Sequence, residues 1–144
     1  MAMTIGAPES ARFVADLRLA SEGLLFVSES DAPFEVVQWP EAPVPLTDAA
    51  IVMITGRSST TPMQKTSLDE FFRLATQPQD WHGADEQRQV VQFQKLQALF
   101  NAQLVDTQVI KLGKIEIDVY IVGRLPASTS KDGWLGLSTR MVET

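Results

Sequence analysis

Lys114-Ile115-Glu116-Ile117-Asp118-Val119-Tyr120-Ile121-Val122-Gly123 decides the fold. Ile115, Ile117, Val119 and Ile121 fall on one side of an extended chain, and Glu116, Asp118, Tyr120 and Val122 on the other. Period-two alternation in β-branched residues marks a strand. Val122 breaks the polar side, which predicts that this end is covered on both faces. Turn formers follow from Gly123 to Gly133, among them Pro126, Ser128, Ser130 and Asp132. A second strand is then predicted from Trp134 to Met141, running back beside the first. Val142-Glu143-Thr144 comes next, so the last residues are expected to be anchored by a sheet rather than loose.

Towards the N-terminus, Gln108 to Leu112 reads as a strand, and Gly113 as the bend into the one quoted above. The long stretch after Gly83 reads as a helix. Asp85 and Glu86 lie in its first turn, where the helix dipole favours negative charge, and Val90, Phe93, Phe100 and Leu104 form a stripe with Leu96 beside it. Ser67-Leu68-Asp69-Glu70 is a capping box. The helix it starts turns Leu68, Phe71, Phe72 and Ala75 inward and stops before Pro78. Gln79 to Gly83 is a loop. Met63 to Thr66 is a short strand, after a polar loop from Arg57 to Pro62. Thr47 is an N-cap with Leu46 and Ile51 placed as a hydrophobic staple. Ile51 and Ile54 would form the buried side of that helix, which Gly56 ends.

Glu41 to Pro45 is proline-rich and extended. Phe34 to Trp39 is a strand closed by Pro40. Ser28 to Pro33 is a run of turn formers after an apolar connection from Leu24 to Val27. The first helix runs from Glu9 to Glu22 on Phe13, Leu17 and Ala20, with Gly23 at its C-cap. Residues 1–8 read as a tail and 9–144 as one domain. Strands clustered at the end, with helices before them, predict an α+β fold: helices packed on a central, mainly antiparallel sheet, α-β-α sandwich-like.

The 144 residues are 44% hydrophobic and 21% charged, ordinary for a globular domain with a core. No apolar run reaches the length of a membrane span. Met1 to Gly6 has neither the basic start nor the apolar centre of a signal peptide, so a cytoplasmic location is the default. The net charge is −6. That sign disfavours direct nucleic-acid binding and suits solubility or a basic partner.

Enzymatic chemistry has few candidates. There is no cysteine and one histidine, His82, so a zinc site of Cys and His ligands is excluded by count. His82 has no partner motif around it. No nucleophile elbow, phosphate-binding loop or dinucleotide glycine pattern occurs. Glu116 and Asp118 share a strand face; they read as the solvated face of an edge strand, or as the carboxylates of a hydrolase with a borrowed metal. Tyr120 carries no signal. The residues alone point to a non-enzymatic binding or regulatory domain with no cofactor and no metal of its own.

Several stretches together resemble one family. They are Ala20 to Ser30, Pro33 to Val36, Phe71-Phe72 with Pro78-Gln79-Asp80-Trp81, Phe93 to Leu96, Leu112 to Gly123, and Leu137-Ser138-Thr139 with Val142-Glu143-Thr144. Their order and spacing are similar to those of the nuclease A inhibitor family of small bacterial proteins, from about Asp16 to the last residue. The resemblance implies a protein that binds and blocks a sugar-non-specific nuclease of the ββα-metal type, plugging its cleft with acidic groups and the C-terminus. Matched motif to motif, it implies partner-binding roles for Glu29, Asp80, Trp81, Glu143 and Thr144. Trp81 is equally open to core packing, and Glu29 to a turn or cap. Residues 41–62 and 124–132 match none of the family's motifs. A regulatory or adaptor domain with another partner is the alternative. The oligomeric state stays open, with a monomer as the default.

Overall fold

The computed structural model describes residues 8–40, 42–126 and 133–143. The elements in chain order are α1 (Pro8–Ser21), β1 (Leu25–Val27), β2 (Asp31–Pro33), β3 (Glu35–Trp39), α2 (Asp48–Thr55), β4 (Met63–Thr66), α3 (Leu68–Phe72), α4 (Ala84–Gln103), β5 (Val105–Leu112), β6 (Glu116–Arg124) and β7 (Trp134–Val142). Five strands form one antiparallel sheet in the order β3-β7-β6-β5-β4, and β1 and β2 form a separate hairpin. The fold is α+β, as predicted.

The alternation in β6 sets the layers. Ile117, Val119 and Ile121 are buried in a large cluster with Phe13 and Leu17 of α1, Leu68 and Phe72 of α3, and Phe93, Leu96 and Phe100 of α4. Val122, on the other face, is buried with Ile110, Leu112, Trp39, Trp134 and Ile51 of α2. Both faces of the sheet are therefore covered at this end, as Val122 predicts, and three helices oppose one across the sheet. β6 is the middle strand, so the edge-strand reading of Glu116 and Asp118 is wrong. Ile115 lies before the strand and is exposed.

Local signals account for most boundaries. Thr47 Oγ1 accepts the Ala50 N–H at 3.1 Å, and Gly56 ends α2 with φ +71°. Leu46 and Ile51 are both buried, as a staple requires. Ile54 is exposed instead of buried, because α2 has only two turns and meets the sheet through Ile51. Ser67 Oγ accepts the Glu70 N–H at 3.1 Å, but the Glu70 carboxylate lies 3.4 Å from Arg73 Nε. At α4 the other half of such a box forms: Glu86 Oε1 accepts the Gly83 N–H at 2.9 Å, and glycine has no side chain to complete it. α3 stops at Phe72, well before Pro78; in the turns that follow, the Thr76 N–H and hydroxyl both donate to the Phe72 carbonyl, at 3.0 and 2.8 Å.

The largest departure is the β1–β2 hairpin. Leu25 to Val27 is a strand, and its partner lies inside the run of turn formers. Three-residue strands are too short to show a period. Phe26 fixes the hairpin by stacking on Phe71 at 4.8 Å and meeting Phe34 edge-on at 6.4 Å. Pro8, placed in the predicted tail, opens α1 instead; residues 1–7, the start of the proline-rich segment at Glu41, most of the turn from Gly123 to Gly133, and Thr144 lie outside the described residues.

Candidate functional site

β7 is longer than its neighbour β3. The pairing of those strands ends at Glu35 opposite Ser138, while β7 continues to Val142 beside Glu116 of β6. An uncovered edge of that kind invites a partner strand. The hairpin covers it. Thr139 Oγ1 donates to the Pro33 carbonyl at 2.9 Å. The Val142 N–H donates to Ser28 Oγ at 3.0 Å, and the Glu29 N–H donates to the Val142 carbonyl at 3.4 Å. On the other side, the Glu143 N–H donates to the Ile115 carbonyl at 2.9 Å.

These bonds bring Glu29, Glu143 and the start of β6 at Glu116 to one corner of the sheet. All three side chains are exposed. The sequence places them far apart; the hairpin joins the first to the last strand. Ser28 was not singled out in the sequence, yet its hydroxyl is the bridge. Ser28→Ala is expected to cost about 1–2 kcal/mol, since the part-buried Val142 N–H loses its acceptor. Urea denaturation should show a lower midpoint at unchanged slope.

Asp80 and Trp81 sit elsewhere, between α3 and α4. The His82 N–H donates to the Gln79 carbonyl at 3.1 Å, and the Gln79 N–H donates to His82 Nδ1 at 3.2 Å. Asp80 and Trp81 are thus the two central residues of a turn closed by a pair of bonds. Trp81 is 74% exposed, so it is not core; its ring meets the His82 imidazole edge-on at 4.4 Å. Asp80 is also exposed.

Asp118 has a different environment. It pairs with Arg57, and its other oxygen lies 3.2 Å from Arg140 Nε. With Glu35, Tyr120 and Ser138 it lines a polar cleft of about 420 Å3. Glu116, two residues earlier on the same strand, is exposed. Among the described residues no group of three or more His, Asp or Glu side chains is placed to hold a metal ion. No helix among them is long and apolar enough to cross a membrane.

Burial raises the Tyr120 pKa above the ordinary phenol value, and the Asp118 charge adds to it, while Arg57 and Arg140 oppose. The folded form thus holds the neutral phenol more strongly than the unfolded chain does. That contribution to stability is complete below about pH 10 and is lost as pH rises through the folded pKa. Tyr120 is the only tyrosine, so its phenolate absorbance reports one site. Asp118→Asn is expected to move that titration to lower pH, because the remaining guanidiniums favour the anion.

The sequence model described as nuclease A inhibitor-like protein matches residues 11–144. No curated protein matches the chain.

Proposed function

The chain belongs to the nuclease A inhibitor-like family, and from that membership we propose that it binds a metal-dependent, sugar-non-specific nuclease of the ββα-metal type and occludes its active-site cleft. The observation that supports this reading best is the corner where Ser28 and Glu29 are hydrogen-bonded to Val142, next to Glu143. A cleft that binds nucleic acid is built for anions. Carboxylates take the place of phosphates there: they pair with arginine in two-pronged fashion and are hard oxygen ligands for a magnesium ion.

In this reading Glu29 and Glu143 enter the cleft, followed in sequence by Thr144, whose hydroxyl supplies a further oxygen. The hairpin bonds hold Glu29 before binding, so less order is lost on association. Trp81 is the apolar anchor and Asp80 the adjacent charge at a second contact. An exposed tryptophan covers much area with only two rotatable side-chain bonds. The net charge of −6 steers the protein toward a basic cleft and raises the association rate at low salt.

The test is isothermal calorimetry of the protein with such a nuclease in magnesium buffer. A one-to-one complex that competes with a short DNA duplex is the expected result. Absence of binding at micromolar concentrations, or binding that leaves the duplex bound, would reject cleft occlusion. The second reading, an adaptor with another partner, keeps the same exposed turn and corner but predicts no competition with DNA.

A further inference from the structure

We propose that His82 is a positioning residue for the partner-binding turn, and that it makes this contact sensitive to pH. The inference rests on the reading that Asp80 and Trp81 touch the nuclease. Gln79 and His82 exchange two hydrogen bonds across the turn: His82 N–H to the Gln79 carbonyl at 3.1 Å, and Gln79 N–H to His82 Nδ1 at 3.2 Å. Asp80 and Trp81 are the two residues between them. The ring that accepts the second bond also packs edge-on against Trp81 at 4.4 Å between centroids. One imidazole therefore closes the turn and flanks its anchor.

The second bond exists only while Nδ1 carries a lone pair. A neutral imidazole meets that condition with its proton on Nε2; in the imidazolium both nitrogens are donors. Protonation therefore opposes Nδ1 against the Gln79 N–H and removes the bond. The turn is therefore closed while the ring is neutral and loosens when the ring takes up a proton.

The charged groups on the flanking elements are largely engaged. Asp85 and Arg88 of α4 pair with each other, and Glu86 takes the Gly83 N–H at 2.9 Å. Glu70 and Arg73, at the end of α3, pair at 3.4 Å. Asp80 is the acid on the turn itself. The Gln87 amide reaches the His82 carbonyl at 3.5 Å, so α4 holds the backbone of the turn.

Three proteins test this: the parent, His82→Ala and His82→Asn. The asparagine oxygen stands where Nδ1 stands and accepts the same N–H, but does not titrate. Two readouts are needed. The first is the Gln79 amide and Trp81 indole signals of the free proteins, by nitrogen-proton NMR from about pH 5 to 8. The parent should show both moving together with a single titration, His82→Ala should lack the Gln79 hydrogen-bond shift at every pH, and His82→Asn should keep it without titrating. The second is inhibition of the nuclease at each pH, taken as a ratio to the asparagine variant so that the enzyme's own pH dependence cancels. At pH 8 His82→Ala should inhibit about fivefold more weakly than the parent, the worth of one net hydrogen bond; the asparagine variant should match the parent there and exceed it near pH 5.5. A Gln79 amide blind to His82 would overturn the proposal whatever the nuclease does. A parent that inhibits no better than His82→Ala would overturn it while leaving the nuclease reading intact. A parent that does not inhibit at all would reject the nuclease reading and this one with it.

Discussion

Glu29→Lys is expected to weaken nuclease binding about a hundredfold while the protein stays folded. The side chain is exposed at the tip of the hairpin, and its backbone, not its carboxylate, makes the bond to Val142. The Ser28 bridge and the Phe26 stack are made by other residues and hold the hairpin in the variant. In the proposed complex the change is severe. Removing one member of a desolvated charge pair typically costs about 2–5 kcal/mol, and a lysine adds repulsion against cleft cations or metal. The loss should appear mainly in the dissociation rate, since contact, not encounter, is broken. Asp16→Lys on the exposed side of α1 makes the same change in net charge outside the corner and the turn. It should slow association at low salt only slightly. Stopped-flow rates at two ionic strengths separate the two cases; equal losses in both variants would mean that bulk charge, not the corner, drives binding.

Gly136→Ala should have the largest effect on the fold itself. Gly136 lies on β7 between Val37 of β3 and Val122 of β6. A Cβ there would sit 1.8 Å from the Ile121 carbonyl oxygen and 2.8 Å from its carbon. The obstructing atoms are backbone of the middle strand, which is paired on both sides and cannot retreat. Overpacking that a side chain can absorb costs about 1–3 kcal/mol; here the strand spacing itself must open, and the loss should exceed about 4 kcal/mol. That approaches the whole stability of a small domain, so urea denaturation should show a greatly lowered midpoint or no cooperative transition. Gly23→Ala is the contrast. Nothing lies within 4 Å of a Cβ at that position, and only the φ of +77° opposes it, at a cost of about 1–2 kcal/mol. A Gly136→Ala protein as stable as Gly23→Ala would mean that the β6–β7 spacing is softer than drawn here.

Much of this architecture was legible because the strong signals are local. The alternation of Ile117, Val119 and Ile121, the stripe on α4, the Thr47 cap and the Gly56 stop each name their own element, and the structure agrees at each. Trp134 to Val142 was legible to within a residue. What was hidden depends on contacts distant in sequence. The β1–β2 hairpin has only three residues a side and exists because Phe26 stacks on Phe71 and Ser28 bridges to Val142; neither partner is visible from residues 25–33. The middle position of β6 depends on β4 and β5 adding to one side and on β7 and β3 adding to the other, an order no single stretch encodes. The exposed Ile54 follows from the shortness of α2.

The residues of the candidate site were singled out through resemblance more than through residue chemistry. Motif matching singled out Glu29 and Glu143, and the fold brings them to one corner through hydrogen bonds that their own identities do not announce. Asp80 and Trp81 were singled out the same way and occupy a separate turn. His82 looked mute because it lacks catalytic company. Its spacing of three from Gln79 was the available clue, since a side-chain acceptor at that distance can close a turn on itself.

The measurement that bears most directly on the proposed role is a plasmid degradation assay with a ββα-metal non-specific nuclease at fixed, saturating magnesium, titrated with this protein. Activity falling to near zero at about one inhibitor per enzyme, and unrecovered by more magnesium, is the expected result for a tight complex that fills the cleft. Full activity at large molar excess would contradict it, and activity restored by magnesium would reduce the effect to removal of the metal by an acidic protein.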